Sequence, residues 1–287
     1  LSTLKNTSGK ELYNYQQDAI TEIFQRFENA ADDYHLLYQL PTGGGKTVIF
    51  SEIVRRYISK YRKKVLVLTH RIELSKQTSK MLSEFGVENK IINSTAQLED
   101  QDNYDCFVAM VETLKNRLND EKLDISDIGL VIVDEAHYNS FTKIFKFFDK
   151  SIVLGVTATP LSSNIKLPMY ENYQELFVGE TIQHLIDNHY LASADLHSFN
   201  VGLTSLEVGA NGDYTVKSSE DLYTNSDMLS KLIEAYEETS KGKKTLIFNN
   251  GINTSIQVFE AFKKAGYPIA HLDLSLIHIS EPTRRSA

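Results

Sequence analysis

Short apolar runs alternate with amphipathic stretches along most of the chain. Runs at 36–40, 65–68, 105–110, 130–133 and 151–154 predict strands, and the stretches 46–59 and 72–85 predict helices. The run 130–133 is rich in β-branched residues and lacks polar alternation, which favours a strand buried on both faces. Strands that alternate with helices are typical of a parallel sheet covered by helices. The pattern therefore predicts an α/β fold with helices on both faces of the sheet.

The character of the chain changes between about 191 and 230, where polar residues dominate and 211–213 (NGD) is a turn signal. Beyond it, 245–248 predicts a strand, 255–264 a helix ended by Gly266, and 269–272 the start of another strand. We therefore predict a first domain over 1–191, a linker and the start of a second domain over 192–273, and a tail over 274–287.

The tail does not resemble natural protein sequence. Residues 274–284 read LSLIHISEPTR, which matches letter for letter the translation of a common transposase-based sequencing adapter in one frame. We expect 274–287 to be non-native and exclude it from fold reasoning. The chain also begins with Leu1 rather than Met, so we expect its natural start to lie upstream. We accordingly expect the second domain to be incomplete in this sequence, with its C-terminal part missing from the same chain.

Composition narrows the class of protein. The formal net charge of −8 argues against a broad basic surface, although a local basic groove is compatible with it. Cys106 is the single cysteine and has no internal disulfide partner, so we expect an inert core residue and a cytoplasmic location. We expect no membrane association, since no apolar run approaches the roughly 18–20 residues of a membrane span.

Residues 41–47 (PTGGGKT) lie between a predicted strand and a predicted helix, as a phosphate-binding loop requires. Glycines let several backbone N–H groups point at one anion, and a helix N-terminus adds partial positive charge. Lys46 would reach the β- and γ-phosphates of a nucleotide, and the Thr47 hydroxyl would hold Mg²⁺. The nucleotide-binding set also includes Thr42, Gly43, Gly44 and Gly45. The alternative is a plain glycine-rich turn, because Leu40 replaces the first glycine of the strict pattern.

Two adjacent carboxylates, Asp134 and Glu135, follow the predicted strand 130–133. Ligand sites of open α/β sheets lie at the carboxyl ends of the strands. Asp134 is placed to hold Mg²⁺ through water, and Glu135 to orient or deprotonate an attacking water. A solvated acidic strand end is the alternative for such a pair alone. The position of the Asp134–Glu135 pair after a phosphate loop favours a nucleoside triphosphatase.

With further motifs, the chain resembles superfamily 2 DEAD/DEAH-box helicases of the DNA repair and restriction type. Residues 134–137 form the DEAH signature, and the resemblance implies that His137 couples ATP to the second domain. In 155–160 (GVTATP), it implies that Thr157 and Thr159 couple hydrolysis to domain movement. The implied fold is a RecA-like domain followed by the start of a second one.

The resemblance extends upstream of the phosphate loop. Residues 12–16 (LYNYQ) are similar to the adenine-reading element, with Gln16 as the base reader. Tyr13 and Asn14 stand where related DNA helicases often have Arg and Pro, so the support for adenine specificity is partial.

Other stretches resemble the nucleic-acid side of such motors. In 68–74 (LTHRIEL), Arg71 suits a phosphate contact, although a solvated arginine at a helix start is the alternative. In 108–114 (VAMVETL), the resemblance places Thr113 near the nucleic-acid backbone. Residues 246–250 (LIFNN) are similar to the opening of the second motor domain, or form a plain buried strand. Residues 182–192 resemble the segment that leads into that domain.

These motifs predict an enzyme that hydrolyses ATP with Mg²⁺ to move along or unwind nucleic acid, DNA rather than RNA. Its catalytic residues would be Lys46, Asp134 and Glu135. The alternatives are an ATP-gated module that binds nucleic acid or protein without motor activity, and a translocase on duplex. The glutamine- and arginine-bearing motif of the second domain is not found, so this chain is expected to bind ATP weakly and hydrolyse it slowly.

Overall fold

The computed structural model describes residues 11–31, 33–93, 103–119, 127–138, 141–162, 166–209 and 212–272, so the tail at 274–287 lies outside the described residues. The chain divides into two compact units, unit 1 (Leu1–Ser193) and unit 2 (Ala194–Ala287). That these units correspond to two RecA-like domains stays a prediction.

Unit 1 is built on a parallel sheet. Its strands are β1 His35–Gln39, β2 Lys64–Thr69, β3 Asn89–Ile92, β4 Cys106–Met110, β5 Ile128–Asp134, β6 Ile152–Thr157 and β7 Glu175–Val178. They lie in the order β3-β4-β2-β5-β6-β1-β7, and each neighbouring pair is parallel. The α/β class with a parallel sheet is confirmed.

Helices connect these strands. They are α1 Asn14–Glu28, α2 Lys46–Tyr61, α3 Ile72–Glu84, α4 Val111–Asn119, α5 Thr142–Phe145 and α6 Ile182–Asp187, with a 3₁₀ turn at Met169–Glu171. Among the described residues, no helix is both long enough and apolar enough to cross a membrane.

The core of unit 1 lies on both faces of the sheet, because successive strand residues point to opposite sides. In β2, Val65 and Val67 pack with residues of α1, α2 and α3, whereas Leu66 and Leu68 pack with residues of α4 and α5. All residues of β5 are buried, as expected for a central strand of a doubly covered sheet. This packing fixes the positions of the carboxyl ends of the central strands, which lie side by side at one edge of the sheet.

The described residues of unit 2 form three helices, α7 Val216–Tyr223, α8 Ser226–Thr239 and α9 Ile252–Lys264, and an isolated antiparallel bridge between Val208 and Tyr214. The strands predicted at 245–248 and 269–272 are wrong, since both segments are irregular. Leu246 is 81% exposed and Phe248 is 92% exposed. A strand is defined by its ladder of hydrogen bonds, and no described strand lies beside these apolar segments to form one.

Candidate functional site

The predicted chemistry converges on the carboxyl edge of the sheet in unit 1. Strand β6 lies between β5 and β1, and its end binds the loops that follow both neighbours. The Leu40 N–H donates to the Thr157 carbonyl at 3.0 Å, and the Ala136 N–H donates to the Val156 carbonyl at 3.0 Å. The GVTATP segment therefore ties the phosphate loop to the DEAH loop.

The phosphate loop depends on its glycines. Gly43 and Gly45 both have φ of +84°, a left-handed conformation in which other residues are strained. A Cβ atom on Gly45 would lie 2.5 Å from Nε2 of Gln16, so the loop also needs glycine there for space. Leu40, which replaces the first glycine of the strict pattern, is fully buried and would lie 2.8 Å from a Cβ on Gly44. The side chain of Leu40 therefore packs against the phosphate loop at Gly44.

Helix α2 begins at Lys46, directly after the left-handed Gly45. The Lys46 ammonium lies 3.4 Å from the Leu40 carbonyl oxygen, inside the loop. Thr42 and Gly43 are exposed at the mouth of the loop, and Thr47 is half-buried in the first turn of the helix. A helix N-terminus, a loop of backbone N–H groups and a lysine make an arrangement suited to a phosphate chain.

Burial makes the carboxyl group of Asp134 harder to ionise. Its side chain ends the buried strand β5, and the residue is 8% exposed. Desolvation raises the pKa of Asp134 to about 6, and the Glu135 carboxylate acts in the same direction. The Glu135 N–H, which donates to Oδ1 of Asp134 at 3.0 Å, and the Lys46 charge partly offset this rise. Burial is thus the main reason why the Asp134 carboxyl is hard to ionise, and the neighbouring Glu135 carboxylate adds to it.

Glu135 occupies a left-handed backbone conformation, with φ of +51°, which is uncommon for a residue with a side chain. Such strain often accompanies functional sites. His137 Nδ1 lies 3.4 Å from Oε2 of Glu135 and 3.0 Å from Oγ1 of Thr157. Thr157 Oγ1 in turn donates to the Thr159 carbonyl at 3.0 Å. The structure therefore brings together Glu135, His137 and both threonines of the GVTATP segment.

The residues at this edge fit a magnesium ion bound with a nucleotide. Thr47 and Asp134 offer the hard oxygen ligands that Mg²⁺ prefers, and a divalent cation would favour the ionised form of Asp134, which burial disfavours. Within the described part of the chain, no group of three or more His, Cys, Asp or Glu residues could hold a metal ion. The ion would therefore depend on nucleotide phosphates and water for its remaining ligands.

Gln16 lies against the phosphate loop and is only 4% exposed. Its Oε1 accepts from the Tyr13 N–H at 3.0 Å, which caps helix α1. Its Nε2 donates to the Tyr15 hydroxyl at 3.3 Å and lies 3.5 Å from the Gly44 carbonyl. The structure thus places Gln16 at the candidate nucleotide site, and its role as a reader of adenine stays a prediction.

The sequence reasoning missed the aromatic residues around this loop. The ring of Tyr190 lies 4.7 Å from that of Tyr13 and 4.9 Å from that of Tyr15, measured between centroids. Leu191 would lie 2.8 Å from a Cβ on Gly43. The sequence singles out 182–192 only as the segment that leads into the second domain. Nothing in its composition indicates that it contacts the phosphate loop.

The candidate nucleic-acid residues lie along the same edge, after the strands on the far side of β5. Arg71 is exposed at the N-cap of α3, directly after β2. Thr113 is half-buried in the first turn of α4, directly after β4. Neither position tests a contact with nucleic acid, so both roles stay predictions. Cys106 is fully buried in β4, and burial raises the pKa of its thiol, as an inert core residue requires.

Comparison with known proteins indicates the family of the chain. The family described as Type III restriction enzyme, res subunit, matches residues 9–162. The 51.5 kDa protein of Lactococcus phage (isolate 7-9) is 27% identical over 241 residues, which cover 83% of this chain and 48% of that protein. The putative ATP-dependent helicase IRC3 of Saccharomyces cerevisiae is 27% identical over 282 residues, covering 86% of this chain and 40% of that protein. The chain thus spans less than half the length of these curated relatives.

Among solved structures, the Hef helicase domain of Pyrococcus furiosus is similar, with a TM-score of 0.51 and 19% identity. The similarity covers 88% of this chain and 52% of that chain. At this identity the likeness concerns the fold, and it confirms the predicted RecA-like class. Because the family match spans more than half of the chain, the chain belongs to the Type III restriction enzyme res subunit family, in the repair and restriction branch of the superfamily 2 helicases.

Proposed function

We propose that this chain carries the ATP-hydrolysing part of a motor that moves along or unwinds DNA, using ATP with Mg²⁺. The supporting observation is the line of hydrogen bonds that joins the phosphate loop, the DEAH loop and Thr157 at one edge of the sheet. A chain that only bound nucleotide would need the phosphate loop but not the Glu135–His137–Thr157 connection.

The chain's own residues have distinct roles in this proposal. Lys46 and the loop N–H groups bind the β- and γ-phosphates, while Thr47 and Asp134 would hold Mg²⁺, which when bound would neutralise charge on the phosphates. Glu135 orients a water and accepts its proton as the water oxygen bonds to the γ-phosphorus. The bond from that phosphorus to the β–γ bridging oxygen breaks, which yields ADP and phosphate. His137 contacts both Glu135 and Thr157, so a movement of Thr157 changes the position of His137 and of the Glu135 carboxylate that it contacts.

The choice of DNA rests on family membership, since restriction enzymes act on DNA, and on the repair and restriction type of the motifs. Arg71 and Thr113 follow β2 and β4, on the same edge of the sheet as the phosphate loop and the DEAH loop, which supports this proposal. Phosphate contacts of this kind position nucleic acid without reading its sequence. We therefore propose that DNA lies along the β4–β2 side of this edge.

Single-turnover ATP hydrolysis by the purified chain, with and without DNA, tests the proposal. We expect DNA to increase the wild-type rate. We expect Glu135→Gln to lower the rate by about 10²–10⁴-fold, because general base catalysis is lost. The same variant keeps nucleotide binding, which is the control for folding. A wild-type rate that is insensitive both to DNA and to Glu135→Gln contradicts the proposal and favours an ATP-gated binding module.

A further inference from the structure

Three aromatic rings form a continuous contact between the β2 side and the β5 side of the carboxyl edge. His70, directly after β2, stacks on Tyr138 with centroids 4.2 Å apart and planes at 29°. Tyr138 contacts His137 with centroids 4.4 Å apart and planes at 36°. Tyr138 therefore lies between the residue that precedes Arg71 and the last residue of the DEAH signature.

Each end of this contact is held by hydrogen bonds. On the β2 side, the Arg71 carbonyl accepts from the Thr69 hydroxyl at 3.3 Å and from the Ser75 N–H at 3.1 Å, which makes the turn around His70 stiff. On the β5 side, the Tyr138 N–H donates to the Glu135 carbonyl at 3.1 Å. Both the turn that carries His70 and the backbone of Tyr138 are therefore anchored by hydrogen bonds.

Beyond Tyr138, the contact continues through His137 to the carboxylate of Glu135. His137 Nδ1 lies 3.4 Å from Oε2 of Glu135 and 3.0 Å from Oγ1 of Thr157. Burial lowers the pKa of His70, and the charge of Arg71 acts in the same direction, so this ring is neutral at neutral pH and stacks as a π-system. Tyr138 is 37% exposed and so contributes little to the core.

We propose that Tyr138 is a positioning residue that couples nucleic acid bound at Arg71 to the orientation of Glu135 and His137 in the ATP site. This inference rests on the proposed function, since it assumes that both ligands bind. A phosphate held by Arg71 biases the β2 turn, the stacked rings transmit that bias, and the Glu135–His137 pair responds. Coupling between two binding sites is a free energy and is reciprocal, so each ligand changes the affinity for the other by the same factor.

The experiment measures this coupling factor directly. A fluorescent non-hydrolysable ATP analogue with Mg²⁺ is titrated into the chain with and without a single-stranded DNA oligonucleotide. In the wild type we expect DNA to strengthen analogue binding at least about fivefold, the lower end of typical coupling. We expect Tyr138→Ala to reduce that factor by at least about twofold, as the loss of aromatic stacking implies, and at most to a factor of one, which is no coupling. Analogue affinity without DNA is measured for every variant, so that a general loss of nucleotide binding is not counted as a loss of coupling.

Matched variants separate coupling from simple structural damage. Tyr138→Phe keeps both ring contacts and should keep the wild-type factor. His70→Ala removes the same contact from the other side, and the double variant should lose no more than either single variant, since both break one path. Tyr170→Ala, at a tyrosine 80% exposed in the 3₁₀ turn, is the control and should leave the factor unchanged. The reverse titration, of DNA with and without analogue, must give the same factors.

The outcomes distinguish the two proposals. If the wild type couples and Tyr138→Ala couples equally well, the role of Tyr138 is overturned while the proposed function stands. Loss of coupling in Tyr138→Phe as well as in Tyr138→Ala also overturns the role of the stacked rings. If DNA does not change analogue binding in the wild type, the Tyr138 link is overturned, whereas the proposed function is still decided by the single-turnover rates with and without DNA.

Discussion

Units 1 and 2 carry similar apolar segments but use them differently. In unit 1, Leu154 of β6 pairs in register with Leu36 on one side and Ile132 on the other, and it is fully buried. In unit 2, Leu246 belongs to a segment of similar composition and is 81% exposed. Within the described residues of each unit, the difference is the presence of neighbouring strands.

The comparison shows that a β-rich composition does not make a strand by itself. A strand in a parallel sheet is stabilised by ladders on its two edges and by helices on its two faces. β6 has all four, and it therefore holds Thr157 where the phosphate loop and the DEAH loop meet. Segment 245–248 has no described ladder, so its residues are available to solvent. The described residues of the candidate site all lie in unit 1.

The largest effect expected from this comparison comes from Leu154→Ala. Loss of a fully buried leucine leaves a cavity, and we expect it to lower the free energy of unfolding of unit 1 by about 2–5 kcal/mol. Because the chain contains no tryptophan, circular dichroism in urea is the suitable probe. Hydrogen exchange of peptides from each unit assigns the change. An effect in unit 2 peptides alone would break the comparison.

A smaller effect is expected at Asp134, where folding raises the pKa from 3.8 to about 6. The folded state then binds the proton more tightly than the unfolded state. The stabilisation is complete below about pH 4 and is lost as the pH rises through about 6. At pH 7, without nucleotide or Mg²⁺, Asp134→Asn should therefore stabilise unit 1 by about 1–3 kcal/mol. Urea denaturation of both proteins between pH 4 and pH 7 measures the difference, which should vanish at the acid end.

Glu135→Gln provides the control for this prediction. The Glu135 carboxylate is the second cause of the raised pKa of Asp134, after burial. Its removal should lower the pKa of Asp134 and reduce the stabilisation that Asp134→Asn gives in the double variant. An advantage of Asp134→Asn that is constant from pH 4 to pH 7 contradicts the assignment, because it would not arise from titration.

The smallest effect is expected from Leu246→Ala, the same substitution in unit 2. An exposed side chain loses little on truncation, so the free energy of unfolding should change by less than about 0.5 kcal/mol. The assay used for Leu154→Ala measures both variants side by side. If Leu246→Ala destabilises the chain as much as Leu154→Ala does, Leu246 is buried in solution and the contrast between the units is wrong.

Regular elements of unit 1 could be predicted where the local pattern is strong. The sequence predicts a helix over 46–59 and a strand over 130–133, and the structure has α2 at Lys46–Tyr61 and β5 at Ile128–Asp134. The prediction omits β3 and β7, because each has only four residues and is largely not fully buried, which is too short a run for a clear apolar pattern. It also omits α1, although Ile20, Ile23 and Phe27 recur at helical spacing on its buried face.

Motifs could predict which residues form the candidate site but not how they contact one another. The phosphate loop and the DEAH residues are contiguous in sequence, so their residue types alone indicate the chemistry. The packing of Tyr190 on Tyr13, and of His70 on Tyr138, joins residues far apart in the chain. Such contacts depend on strand order, which no local pattern specifies.

Calorimetric titration of ATP with Mg²⁺ into the chain and its Lys46→Ala variant tests whether unit 1 is a nucleotide site. Lys60→Ala is the matched control, because Lys60 lies at the other end of α2 with its side chain 46% exposed. We predict that Lys46→Ala weakens binding by about 10- to 100-fold, through loss of a charge-assisted contact to phosphate, and that Lys60→Ala changes it by less than about twofold. Equal affinities for wild type and Lys46→Ala would contradict the account, because ATP would then bind elsewhere or without the phosphate loop.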